Sequence, residues 1–139
     1  MKLEIYSTSQ YKALDQLLMA YRFIDNRIAR RKLEIETKHH TDINIGGGRS
    51  NRVNKRTEWL VGEFDTDTRI KSLEANKEAV NELISVLNDE LLTVFNQRWI
   101  GGKSWEEIQE QLNYSNLKLK RVKFSILNQL AYILGWYIR

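Results

Sequence analysis

The 139-residue chain contains no cysteine and no proline. Without cysteine there is no disulfide and no thiolate metal site, and a reducing compartment is the natural setting. Without proline, no residue interrupts a helix through a fixed φ or a missing N–H. No apolar run approaches the roughly 20 residues that span a bilayer. The opening stretch MKLEIYSTSQYK lacks the apolar segment that export requires, so the expected location is the cytoplasm, and the Asn113-Tyr114-Ser115 sequon carries no meaning. Catalytic signatures are missing too. GGGRSN lacks the Gly-Lys-Ser/Thr of a phosphate-binding loop, and no Ser, His and Asp set suggests a triad. His39 and His40 have only Asp42 nearby, and adjacent helical residues do not converge on one ion. Glu106 and Glu107 are explained by exposure and by helix capping. The expectation is a protein that is not an enzyme, with no metal and no cofactor.

Apolar residues make up 42% of the sequence, enough for a real core, and the net charge is +4. The charge is segregated. Residues 38–57 hold 5 basic residues and 1 acidic, residues 58–95 hold 3 and 9, and residues 96–139 hold 7 and 3. Basic regions on either side of an acidic middle are a common footprint of a polyanion partner, and also of an ordinary solvated surface.

Helical periodicity accounts for most of the chain. Leu14, Leu18, Tyr21, Ile24, Ile28 and Ile35 recur at steps of three and four, which predicts one helix from about Ser9 to Lys38. A second periodic segment runs from about Thr57 to Trp99. Its seam of Ile70, Leu73, Lys77, Val80, Ile84, Leu87, Leu91 and Val94 is a heptad repeat with one polar intruder, Lys77. DTDT at 65–68 either lies within this segment or breaks it, with Asp67 or Thr68 as a fresh N-cap. Two amphipathic stripes need cover. An antiparallel pair within the chain supplies it, completed by the C-terminal region or by a second copy in a homodimer. The intervening HHTDINIGGGRSNRVNKR reads as a loop because three consecutive glycines are costly to order in a helix. Arg49, Arg52, Lys55 and Arg56 make it either an arm that follows a DNA backbone or a solubilising connector.

The final third carries the motif. Gly101-Gly102 ends the long helix. Ser104 with Glu107 forms a capping box, and Ile108, Leu112 and Trp105 face inward on a helix of about two turns. Asn113-Tyr114 makes the turn, Asn113 being suited to the left-handed region. Ser115 caps a longer helix whose buried side is Leu119, Val122, Ile126, Leu130 and Ile133. A short helix, a turn and a longer helix describe a helix-turn-helix, whose second helix touches base edges with its first turns. Asn116, Lys118, Lys120, Arg121 and Lys123 lie off the predicted buried stripe, with Lys103 just before the unit. Arg121 suits guanine, Asn116 suits adenine, and the lysines suit phosphates. A plain helical hairpin with a solvated basic face is the bland alternative. Trp99, Trp105, Tyr132, Trp136 and Tyr137 read as core packing, with Trp136 and Tyr137 as candidate contacts for a partner such as RNA polymerase.

SWEEIQEQLNYSNLKLKRVKFSILNQL resembles region four of bacterial sigma factors. Ser104, Glu107, Ile108, Leu112 and Ser115 stand where that pattern needs a cap, an acid, core residues and a second cap. The resemblance implies base and phosphate contacts for Asn116, Lys118, Lys120 and Arg121. Leu117 departs from it, because that family has an acid there, so base preference is not expected to be shared. From about Tyr11 to Trp136 the chain resembles the RinA and ArpU type of phage late-gene transcriptional activators, through the loop DINIGGGRSN, the helix start KRTEWLV and the tail AYILGW. That resemblance implies a phage or prophage activator in a bacterial host, with double-stranded DNA and host RNA polymerase as partners. The expected fold class is all-α: a long antiparallel helical hairpin over 1–80 with a basic Gly-rich loop at 39–56, then a sigma-like helix-turn-helix domain over 81–139. The competing reading is a DNA-packaging component resembling a small terminase subunit. Those proteins typically place the DNA unit first, and their rings are recognised by mass in solution. A coiled-coil adaptor with no DNA role is the third possibility.

Overall fold

The structure is a computed structural model that describes residues 3–42 and 49–136, with side chains described for 3–38 and 55–136. Among the described residues every regular element is helical: α1 (Thr8–Tyr21), α2 (Ile24–Asp42), α3 (Arg49–Thr66), α4 (Thr68–Val86), α5 (Asp89–Phe95), a π-helical turn (Asn96–Ile100), α6 (Trp105–Leu112) and α7 (Asn116–Ile133). The chain divides into two compact units. The terminal unit joins Met1–Arg22 to Asn76–Arg139, and the middle unit is Phe23–Ala75. This division differs from a boundary at residue 80, because α1 packs with the C-terminal helices. No helix among the described residues is long and apolar enough to cross a membrane.

In the terminal unit, α1 starts with a reciprocal capping box. Ser7 Oγ accepts from the Gln10 amide at 3.2 Å, and Gln10 Oε1 accepts from the Ser7 amide at 2.8 Å. The stripe Tyr11, Leu14 and Leu18 then enters a core with Val80, Leu83, Phe95, Trp99, Ile126 and Leu130. Each fully buried side chain of this size contributes about 1.5–3 kcal/mol. Trp99 is wholly buried and its indole N–H donates to Asp15 at 2.9 Å, so its polar atom is satisfied.

The predicted helix from Thr57 to Trp99 is interrupted twice. The first break is at Asp67, whose carboxylate accepts from the Ile70 amide at 3.0 Å and so caps α4. This settles the choice between Asp67 and Thr68. The second is at Leu87-Asn88, where Asn88 Oδ1 accepts from the Leu91 amide at 2.9 Å and starts α5. After the π turn, Gly101 stops the helix as the sequence implied. A Cβ there would lie 2.9 Å from the Gln97 carbonyl, and Gly102 takes φ +72°, which glycine adopts without strain.

In the middle unit α2 packs on α3, with Ile24, Ile35 and Ile70 as its buried apolar side chains among the described residues. Arg31 binds Asp67 through two N–H groups, at 2.8 and 3.1 Å. That hydrogen bonding, with help from the Ile70 amide and the Arg31 charge, lowers the Asp67 carboxyl to about 2.

The first helix is not continuous from Ser9 to Lys38, since a turn at Arg22-Phe23 separates α1 from α2. The loop at 39–56 is shorter than predicted, because 39–42 belong to α2 and 49–56 to α3. The glycine penalty acts only where glycine stands, and its flanks are free to be helical. The stretch INIGGG at 43–48 lies outside the described residues, as do the side chains of Arg49 and Arg52.

Candidate functional site

The cations singled out in the C-terminal third sit around α6, the connection 113–115 and the start of α7. Local chemistry builds this frame. Ser104 Oγ accepts from the Glu107 amide at 3.1 Å, which is the first half of the expected capping box. Glu106 and Glu107 in the first turn also suit the positive end of the helix dipole. α6 ends at Asn113, whose φ of 54° and ψ of 46° lie in the left-handed region. The Tyr114 amide donates to the Gln109 carbonyl at 3.0 Å and the Asn113 amide to the Glu110 carbonyl at 3.3 Å, the paired bonds of a Schellman ending. Ser115 then caps α7 by accepting from the Lys118 amide at 3.1 Å. Ile108 from α6 and Val122 and Ile126 from α7 are buried and hold the two helices together.

Helical geometry then sorts the exposed side chains. Residues four apart lie on one face, at about 100° of rotation per residue. Leu117 and Arg121 therefore stand one above the other, turned away from the buried Val122 and Ile126. Lys120 flanks that pair on one side and Lys118 on the other. All four are exposed, Leu117 by 59%. Just beyond Arg121 the chain's own N-terminal residues cover the outward face at Phe124 and Asn128, and it opens again at Tyr132, which is 83% exposed. Phe124 packs edge-on against Tyr11 at 4.8 Å, while Asn128 accepts from the Tyr11 hydroxyl at 2.7 Å and donates to the Leu3 carbonyl at 3.0 Å. The open cationic face is thus confined to the first two turns of α7. An apolar groove of about 690 Å³ runs from Arg121 to Trp136 and is bordered by Leu3, Ile5 and Val86.

The six candidates do not share one environment. The side chains of Lys120 and Arg121 make no hydrogen bond or ion pair among the described residues. Lys118 is 3.1 Å from Glu90 Oε1 and 4.6 Å above the Tyr114 ring. Asn116 accepts through Oδ1 from Gln109 Nε2 at 2.6 Å, and the same amide nitrogen donates to the Tyr114 carbonyl at 3.2 Å. Lys103 donates to Gln111 at 2.7 Å. Lys123 differs most from expectation. It is half-buried, with its ammonium 5.3 Å from the Trp105 ring and 5.6 Å from Phe124. The reason is helical phase: Lys123 lies four residues after Leu119 and three before Ile126, so it borders the buried side. Lys55 is exposed and Arg56 half-buried, both on α3.

Glu90 was not anticipated. It stands in the first turn of α5 and gathers both Lys118 and the Tyr114 hydroxyl, which donates to it at 3.2 Å. The hydrogen bond and charge of Lys118, then the bond from Tyr114, hold the Glu90 carboxyl below its usual 4.5. Burial first, then Glu90, pushes the Tyr114 phenol up. A separation of 28 positions carries no periodic signal that could have exposed the pair. The aromatic residues also divide: Trp99 is buried with Trp105 edge-on at 5.5 Å, Trp136 packs against Tyr6 at 5.7 Å, and Tyr132 is 83% exposed instead of packed. Tyr137 lies outside the described residues.

Residues 10–132 match the model of a family described as a protein of unknown function, DUF722, and the chain belongs to that family. No curated protein and no solved structure matches the chain.

Proposed function

We propose that the protein binds double-stranded DNA through α6 and α7 used as a helix-turn-helix, and that it regulates transcription from the bound site. The observation that carries this reading is the exposed face of α7's first two turns, where Leu117 and Arg121 are flanked by Lys118 and Lys120 with the core directly behind. A recognition helix needs base-facing side chains in the middle and phosphate-facing cations at the sides. The charge at the helix start agrees. α7 has no acidic residue in its first turn, whereas α6 has Glu106 and Glu107. Acids would favour the helix dipole there, and they would repel a phosphate backbone.

In this reading Arg121 reads guanine as a bidentate donor and Lys120 holds a phosphate. Lys118 is shared between Glu90 and the backbone, and Asn116 is oriented by Gln109. A single module gives modest affinity, so a homodimer on paired half-sites is the expected functional form. The resemblance to RinA and ArpU activators supports late-gene activation in a phage or prophage, with host RNA polymerase as the further partner. The middle unit, taken by itself, fits a helical hairpin. Arg31 meets Asp67, Lys32 lies 5.4 Å from the Phe64 ring, and Lys38 borders the same small cavity as Trp59, so rising numbers on α2 meet falling numbers on α3.

The test is retention of the full chain on random-sequence duplex DNA across a salt series. Wild type is retained at low salt. Lys120→Ala lowers the magnitude of the log K against log salt slope by about 0.9, the value of one phosphate contact. Arg121→Ala removes preference among sequences enriched from a random pool. Wild-type binding that is absent at low salt, or unchanged in the Lys120→Ala, Arg121→Ala double variant, overturns the proposal.

A further inference from the structure

We infer that Leu117 is a specificity-determining residue that reads the C5-methyl group of a thymine in the major groove, an inference that rests on the DNA-binding reading above. Leu117 is the second residue of α7 and is 59% exposed. It takes no part in the terminal unit's hydrophobic cluster, which Leu119, two residues on, does join. Core packing therefore does not explain it. A lone exposed leucine is ordinary on most surfaces. This one occupies the centre of a cationic face, one turn before Arg121, with Lys118 to one side of that stripe and Lys120 to the other. A side chain placed there points at whatever those cations bind. On a duplex that position faces base edges, and the apolar feature of the major groove is the thymine methyl.

The neighbouring polar groups sharpen the assignment. Gln109 Nε2 spends its donors on the Tyr114 carbonyl and on Asn116 Oδ1, which draws the Asn116 carboxamide toward α6. Leu117 and Arg121 are left as the outward pair. An apolar group beside a long cation selects a thymine close to a guanine, each contact excluding what the other accepts. Because Leu117 carries no hydrogen-bonding group, its discrimination depends on a methyl being present and not on the pattern of donors and acceptors. Uracil keeps that pattern and lacks the methyl.

The experiment enriches binding sequences for the full chain from a randomised duplex pool, then replaces each thymidine of the enriched site singly by deoxyuridine. At one position the replacement weakens wild type by about fourfold, the factor for one buried methyl-sized group. Leu117→Ala binds the thymidine and deoxyuridine duplexes equally, whereas Leu117→Met keeps the preference. Wild type that tolerates deoxyuridine at every thymidine, or Leu117→Ala that still loses about fourfold, overturns the role of Leu117 and leaves DNA binding standing. Failure of wild type to be retained on any duplex at low salt overturns the DNA-binding reading, and this inference with it.

Discussion

The terminal and middle units are made from the same kind of sequence and held together differently. Leu14 and Leu18 continue at the same spacing into Ile24 and Ile35, yet the first two enter a core with Phe95 and Trp99 and the last two belong to the middle unit. The terminal unit buries large aromatic side chains, with Trp99 and Phe95 wholly enclosed. The middle unit exposes Leu33, Trp59 and Val61, and a bidentate Arg31–Asp67 pair ties its helices. An amphipathic period states that a face will be covered, and it does not state by what. Partner choice depends on which helices can reach the stripe and on how much volume they fill.

Four measurements press on that contrast. The largest effect belongs to the aromatic core: Trp99→Ala costs about 3–5 kcal/mol in denaturant unfolding, from lost burial and the cavity left behind. Ser115→Ala, which removes the cap of α7, costs about 1 kcal/mol in the same assay. Acid should act on the middle unit through Asp67. Its carboxyl lies at about 2 instead of its usual 3.8, so the Arg31 tie is complete above 3.8 and is lost as pH falls through about 2. Amide protection factors in α2 and α3, taken against the intrinsic exchange rate at each pH, then fall over that interval, and Asp67→Asn lacks the pH step. The smallest effect is at Leu33, 62% exposed, where alanine changes stability by no more than about 0.5 kcal/mol. A Leu33→Ala cost equal to that of Trp99→Ala would end the distinction between the two units.

A further variant sharpens the picture at the site. Glu90→Gln removes the carboxylate that competes for Lys118. Duplex DNA should then bind more tightly, with a salt slope steeper by up to about 0.9. An unchanged slope means that Lys118 does not meet a phosphate.

Legibility followed distance along the chain. Ser104, Asn113 and Ser115 were readable because a cap or a left-handed turn involves partners within five residues. Gly101 was readable because a Cβ there meets its own helix. The break at Asn88 had a usable sign, an asparagine three residues before an apolar position, but the heptad seam running through it masked the cap. The break at Arg22-Phe23 has neither proline nor glycine to announce it. The half-buried setting of Lys123 is legible in its phase against Leu119 and Ile126, though its charged neighbours in sequence conceal it. Glu90 was invisible, because an acid in a helix's first turn is favourable on local grounds alone.

By itself the sequence determined the helical class, the caps around α6 and α7 and the concentration of positive charge at the start of α7, since these follow from residue type and short-range hydrogen bonding. Tertiary structure alone decided that α1 joins the C-terminal helices, that Glu90 holds Lys118, and that residues 3–11 cover α7's outward face at Phe124 and Asn128, which ends the open cationic stretch after two turns. Those outcomes need side chains distant in sequence to compete for the same volume and the same charge, and periodicity carries no record of who wins.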